Sequence, residues 1–389
     1  MFDPRTAEQL SLDLKTGYWK VNNKCFFSKV ECLRYATQIR NEDVTFHFCD
    51  SLFKAIDWRI EPTESLSQIY KNRAQQLRDK YKYVALAFSG GADCSNILDT
   101  FLNNNIKLDE VVSYYPLQMI EQRRHLFNIA DKNPANIMFE YLTAAKPRLE
   151  WLAKNHPDIK ITILDPTVPA RDIILNGTLF ESTMGGVMMS ANLIGQSMMR
   201  DHVSRHNQSC TIQGLDKPVL LYNSITKLYN ACFHDFSFIH GNWDNKSTKD
   251  YTTEYFYITP DMPEVTIKQS HELKKAFDIE FSRLNTLADC KNIKPTTNKL
   301  PLYKIHSHAN FSKSVLYPQW DNSIYQVRKP RSKFYAPGNS PYIAEPKKYD
   351  FYTGQLKEFI HGVSERFIDR ADNNELEKFK HYWTSPNWF

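Results

Sequence analysis

The sequence predicts an α/β fold: an open parallel sheet with helices on both faces, carrying N- and C-terminal accessory segments. Three observations predict it. From Tyr81 onward, short apolar runs of strand length alternate with helical stretches. The first run ends in a Gly-rich turn, Ser89-Gly90-Gly91, that opens a helix. The chain has 389 residues, 42% hydrophobic and 13% aromatic, so it can bury a sizeable core.

Taken in order, residues 19–39 (WKVNNKCFFSKVECLRYATQI) have the shape of a short strand, a turn and a short helix. Residues 62–80 predict a helix, because Leu66, Ile69, Tyr70, Ala74 and Leu77 recur at three- and four-residue steps with Lys, Arg and Gln between them. Residues 1–80 read as an accessory region and residues 81–290 as the core. The core begins with YVALAF (83–88), a continuous apolar run of the kind buried on both faces of a parallel sheet. A helix through SNILDTFLNNN follows, then a strand EVVSYY (110–115), helices over 118–131 and 137–155, and a strand IKITIL (159–164). This β-α-β-α-β order implies right-handed crossovers. A Met-rich helix over 186–206 leads to CTIQGLDKPVLLY (210–222), with strands either side of a turn at Gly214; an aromatic cluster then precedes a helix over 263–277. Residues 291–389, richer in Pro, Tyr and Lys and closing with a helix over 353–370, read as an arm or small lobe packed on the core.

Composition excludes several classes. A net charge of +5, from 49 basic and 44 acidic residues, is too mild to mark a nucleic-acid binder by itself. The opening residues lack a basic segment followed by an apolar stretch, and no run approaches the ~20 apolar residues of a membrane span. A cytoplasmic protein without a membrane partner is expected. The seven cysteines, at 25, 32, 49, 94, 210, 232 and 290, form no C-x-x-C pair and read as reduced thiols.

A site for the triphosphate of ATP needs several backbone N–H groups aimed at one place, no obstructing side chains and a helix N-terminus behind them. Ser89-Gly90-Gly91 offers all three. The glycines permit positive φ and close backbone approach, Ser89 adds a hydroxyl, and a helix from about Asp93 directs its dipole at the loop. Asp93 is also the candidate carboxylate for the nucleotide's Mg2+. The plain alternative is a strand-to-helix turn in which the glycines turn the corner and Asp93 caps the helix. The strand before the loop and the helix after it favour the nucleotide reading.

The stretch VALAFSGGADCSNILD (84–99) resembles the pyrophosphate-binding loop of the PP-loop ATP pyrophosphatases, whose pattern is S-G-G-x-D-S. Ser89, Gly90, Gly91 and Asp93 match and Ala92 fills the variable position. Cys94 stands where the family has a phosphate-binding Ser, with Ser95 immediately after, so either is a candidate for that part. The resemblance implies a core like that of the HUP, or adenine nucleotide alpha hydrolase-like, proteins, with ATP and Mg2+ as cofactors. It also implies a reaction in two halves: a substrate oxygen attacks the α-phosphorus, pyrophosphate leaves, and a nitrogen or sulfur nucleophile displaces AMP.

Further candidates are each weighed against a plainer role. Gly214, Asp216 and Lys217 follow a strand at the carboxyl end of the sheet, where open α/β folds bind ligands; Asp216 would be a metal or phosphate-site acid and Lys217 a phosphate contact, or the pair a solvated turn. Lys268 resembles the lysine by which asparagine-synthetase-like members reach pyrophosphate from a later helix, although a solvated helix face explains most lysines. Glu254 and Asp261 are weaker. Val112, Ser113 and Tyr114 lie where family members read adenine with backbone groups, and Asp165 either faces the site or caps a turn. His202 and His206 read as a charged helix face rather than as metal ligands, and His306 and His308 lack partners at ligand spacing. VRKPRSKFY (327–335) interleaves cations with aromatics and suits a nucleic-acid substrate, an arm over ATP, or a solvated loop.

Phe2 replaces the nucleophilic Cys of a fused glutaminase, so ammonia would come from solution or from an ammonia-supplying partner. The Cys pairs of sulfur-transfer members are missing, which demotes that chemistry. The expectation is an amide- or amine-forming, asparagine-synthetase-like ligase acting on an unidentified acceptor. A nucleic-acid modifier or binder that uses the same loop is the alternative.

Overall fold

Asn22 takes a left-handed conformation, φ 49°, and lets the chain reverse between strands Tyr18–Val21 (β1) and Lys24–Phe26 (β2). Ser28 caps the next helix, Lys29–Gln38 (α1), by accepting the Glu31 N–H at 3.4 Å. Strand Val44–His47 (β3), which the sequence reading did not include, pairs antiparallel with β1, and one helical turn, Asp50–Phe53 (α2), follows. The computed structural model describes residues 17–26, 28–41, 43–122, 141–169, 172, 190–214, 217–234, 250–282, 293–295, 302–305, 311–318, 361–364 and 382–389.

Helix Leu66–Lys80 (α3) buries the five apolar positions expected from its periodicity, and also Arg73. Next come Tyr83–Ala87 (β4), Ala92–Asn103 (α4), Glu110–Tyr114 (β5), Leu117–Gln122 (α5), a π-helical turn at Tyr141–Ala145, Lys146–Asn155 (α6), Lys160–Leu164 (β6), Ser190–Val203 (α7) and Ser209–Gln213 (β7). A hairpin of Val219–Asn223 (β8) and Tyr229–His234 (β9) intervenes before Tyr251–Tyr255 (β10) and the long helix Glu264–Phe281 (α8). β10 is a fifth sheet strand, running into the aromatic cluster, that the sequence does not predict.

The central sheet is parallel throughout, in the order β10-β7-β4-β5-β6. Its chain winds outward from β4 through β5 to β6, then crosses back for β7 and β10 on the other side. The direction of winding therefore reverses between β4 and β7, and at such a switch point an open α/β sheet leaves a crevice outside its carboxyl ends. Val84, Leu86, Val111, Cys210 and Ile212 join a core with residues of α3, α4, α6 and α8, whereas Ala85 and Val112 meet Met199 and Val203 of α7 on the opposite face. Both faces are covered, which is why β4 and β5 read as continuous apolar runs. The chain thus has the expected α/β architecture.

A second five-stranded sheet is antiparallel. Ile293–Pro295 (β11), Leu302–Ile305 (β12) and Tyr382–Thr384 (β13) flank the β8–β9 hairpin in the order β11-β12-β8-β9-β13. Hydrogen bonding in this sheet runs across residue 290, where the sequence reading placed a boundary. Helix Phe311–Leu316 (α9) follows β12. Trp383 packs with Phe53, Trp58 and Phe233, and its indole N–H donates to Asp50 Oδ1 at 2.8 Å, so the last strand is tied to the N-terminal region. The helix expected over 353–370 does not run through its described part: residues 361–364 form a turn with Gly362 at φ 82°, outside the helical range. The remainder of it lies outside the described residues, as does the end of that expected over 118–131. No helix among the described residues is long and apolar enough to cross a membrane.

Candidate functional site

Phe88 to Gly91 carry the chain from β4 to α4 at the switch point. Phe88 is still bound to the sheet: its N–H donates to the Val112 carbonyl at 2.8 Å, and its carbonyl accepts the Ser113 hydroxyl at 2.6 Å. The Ser89 carbonyl accepts the Tyr115 hydroxyl at 3.0 Å. Gly90 has φ +71°, and a β-carbon there would lie 2.6 Å from the Ala145 nitrogen. Glycine is required at 90 on both counts, although the close neighbour is the chain's own backbone. Gly91 has φ −74° and ψ 168°, so the expectation of positive φ holds at Gly90 only. As the N-cap residue Gly91 has no side chain to accept, and the first-turn N–H groups of α4 receive no side-chain cap.

Cys94 closes this loop on itself. Its Sγ accepts the Ser89 N–H at 3.4 Å and donates to the Gly91 carbonyl at 3.2 Å. Ser95 differs: its hydroxyl is buried and has no hydrogen-bond partner among the described residues. An orphaned buried hydroxyl beside an uncapped helix end is uncommon and suits a bound acceptor such as a phosphate oxygen.

Asp93 stands in the first turn of α4, which begins at Ala92, one residue earlier than expected. Its carboxylate does not cap the helix. Oδ1 accepts Lys217 Nζ at 2.5 Å and also the Tyr317 hydroxyl, while the Asp93 carbonyl accepts the Tyr257 hydroxyl at 2.8 Å. Burial pushes the Asp93 pKa up, but the Lys217 ammonium and the Tyr317 phenol outweigh it, so the pKa lies below the usual carboxylate range. Tyr317 shifts the other way. Burial and the neighbouring carboxylate raise it well above the ordinary phenol value, so it stays protonated and donates.

Gly214 joins β7 to this cluster. A β-carbon there would lie 3.0 Å from Ile97 Cδ1 and 3.3 Å from both the Asp93 carbonyl carbon and the Cys94 nitrogen, so glycine lets the end of β7 approach the first turn of α4. Lys217 follows from that strand. Asp216 lies outside the described residues, as do residues 327–335, His306 and His308.

Other candidates are placed elsewhere or bonded structurally. Lys268 is buried, and its ammonium is bound to Glu61 at 2.6 Å, to Glu272 at 3.1 Å and to the Pro62 carbonyl at 3.2 Å; the structure does not bring it to Asp93. Rather than reaching a pyrophosphate, Lys268 ties α8 to the segment before α3. Val112 and Ser113 sit beside the loop but are occupied in holding Phe88. The Tyr114 ring fills the space that a side chain at Gly195 would need. Asp165 caps a turn, accepting the N–H groups of Gln118 and Thr167 at 2.8 and 2.9 Å. Glu254 is buried and accepts from Arg73 and Lys80. His202 bonds Glu110 at 2.9 Å and His206 stacks on Tyr83.

Tyr115, Tyr257 and Tyr317 complete the loop's surroundings without having been expected there. Tyr257 belonged to the aromatic cluster noted in the sequence. Nothing local marks Tyr317.

An uncapped helix end, an orphaned Ser95 hydroxyl and an ionised Asp93 together fit an anionic nucleotide and its cation. No group of three or more His, Cys, Asp or Glu side chains that could hold a metal exists among the described residues. A Mg2+ that shares its shell with water and phosphates needs only one or two carboxylates. Comparison with protein-family models, curated proteins and solved structures gave no match.

Proposed function

We propose that this chain is an ATP-dependent ligase of the PP-loop kind, splitting ATP between the α- and β-phosphates at Ser89 to Ser95. The observation that carries the reading is Asp93, held ionised by Lys217 on the first turn of an uncapped helix at the sheet's switch point. The doubly wound strand order supports a HUP, or adenine nucleotide alpha hydrolase-like, core.

In this reading the first-turn N–H groups of α4 and the Ser89 and Ser95 hydroxyls bind the pyrophosphate portion of ATP. Lys217 neutralises charge that builds on the leaving pyrophosphate, and Asp93 is the protein's ligand to Mg2+. Mg2+, when bound, would supply further neutralisation of the phosphate charge, with Asp93 as the residue that would hold it. The acceptor's oxygen attacks the α-phosphorus, the bond to the pyrophosphate oxygen breaks, and a nitrogen nucleophile then displaces AMP to give an amide or amine. Positioning and electrostatics supply most of the catalysis in such transfers.

The test is product analysis with ATP, Mg2+ and a panel of carboxylate and carbonyl acceptors with ammonia or amines. AMP and pyrophosphate in equal amounts are expected. ADP and phosphate, or no nucleotide binding at all, would contradict the proposal.

A further inference from the structure

The two oxygens of Asp93 are used unequally. Oδ1 accepts both Lys217 and Tyr317, whereas no donor among the described residues reaches Oδ2. Two donors on one oxygen fix the rotation of the carboxylate as well as its charge. Of these donors, Lys217 comes from the loop after β7, but Tyr317 arrives from 224 positions away, directly after α9.

Tyr317 is itself held firmly. The Leu316 carbonyl accepts the Tyr70 hydroxyl at 2.9 Å, and that hydroxyl in turn accepts the Gln269 amide at 2.9 Å. These bonds tie α9 to α3 and α8 at buried positions. The Tyr317 ring packs 5.9 Å from that of Tyr257, whose hydroxyl reaches the Asp93 backbone, and Lys217 Nζ lies 5.6 Å from the Tyr317 ring centroid. The phenol therefore meets Asp93 as part of a packed wall, itself buried.

We propose that Tyr317 is a positioning residue which, with Lys217, holds Asp93 by Oδ1 so that Oδ2 is presented to the divalent cation of a bound nucleotide. This rests on the reading that the loop takes a metal-nucleotide, and it gives residues 291–389 a part in the site: they set the aim of the metal-binding carboxylate. Tyr317 need not touch the substrate. Its effect is on how much Mg2+ the site requires.

The test measures binding of a non-hydrolysable ATP analogue by the full chain as a function of Mg2+, with direct Mn2+ binding followed by electron paramagnetic resonance. Tyr317→Phe keeps the ring packing and removes one hydrogen bond to a charged group, so the Mg2+ midpoint should rise roughly 10-fold. The Mn2+ dissociation constant should rise in parallel, while metal-free nucleotide binding and Tm stay close to wild type. A midpoint that is unchanged or lower in Tyr317→Phe, with wild type binding Mg2+-nucleotide normally, would overturn the role of Tyr317 and leave the nucleotide site standing. A general loss of affinity that ignores Mg2+ would equally overturn it. Failure of wild type to bind nucleotide at any Mg2+ concentration would overturn both proposals.

Discussion

At Asp93 burial and charge pull in opposite directions, and the Lys217 ammonium, helped by the Tyr317 phenol and the charge of Lys313, decides the outcome in favour of the carboxylate. Gly90 is constrained just as closely. A methyl at 90 would meet the Ala144–Ala145 backbone while φ stays at +71°, so Gly90→Ala should destabilise the fold by roughly 1–3 kcal/mol, read as a drop in Tm. An unchanged Tm would mean that the loop relaxes freely. Asp50 offers a pH test. Burial raises its pKa, but hydrogen bonds from His47 and Lys54 outweigh that and lower it to about 2 from an ordinary value of 3.8. A depressed carboxylate stabilises the fold above its unfolded pKa and loses that contribution as pH falls through the folded one. Asp50 should therefore stabilise the protein by about 1–2 kcal/mol near neutral pH, fading between pH ~4 and ~2. Acid unfolding of Asp50→Asn should show a smaller stability difference from wild type at pH 2 than at pH 6; a constant difference would contradict the assignment.

Helix α3 shows what sequence periodicity can and cannot disclose. Its five apolar positions were readable at three- and four-residue steps and all are buried. Arg73 was not readable, since an arginine between apolar positions looks like a solvent-facing residue. Its burial is tolerable because Glu254 of β10, 181 positions on, pairs with it at 3.0 Å, while the Tyr255 carbonyl accepts it at 2.7 Å and the Gln76 side chain at 2.6 Å. Removing Arg73 leaves the buried Glu254 with the half-exposed Lys80 as its remaining counter-charge, so Arg73→Ala should cost about 3 kcal/mol in denaturant unfolding. A loss below ~1 kcal/mol would mean that Lys80 alone satisfies Glu254. β10 itself escaped notice for a related reason. Its YTTEY sequence carries β-branched and aromatic residues but no continuous apolar run, because one of its buried positions is Glu254, paired with Arg73, rather than an apolar side chain.

Across the whole molecule, the parallel sheet and its loop were legible because they are local: strand, turn and helix lie within residues 83–103, and Gly214 and Lys217 directly follow a strand. The antiparallel sheet was not, since its pairings join residues 219–234 to 293–305 and 382–384. Tyr317 belongs to that non-local part, and no spacing in the sequence ties it to Asp93. Lys268 shows the converse, a residue of the right type whose helix directs it to Glu61 instead. The switch-point geometry now links the legible and the illegible parts at one carboxylate. The most direct measurement of the central claim is AMP and pyrophosphate formation from ATP and Mg2+ by wild type, Ser89→Ala and Asp93→Ala. The account predicts equal amounts of both products from wild type and a fall of at least ~10²-fold in each variant, the scale of losing one contact to developing charge. Near-normal turnover in both variants would contradict it.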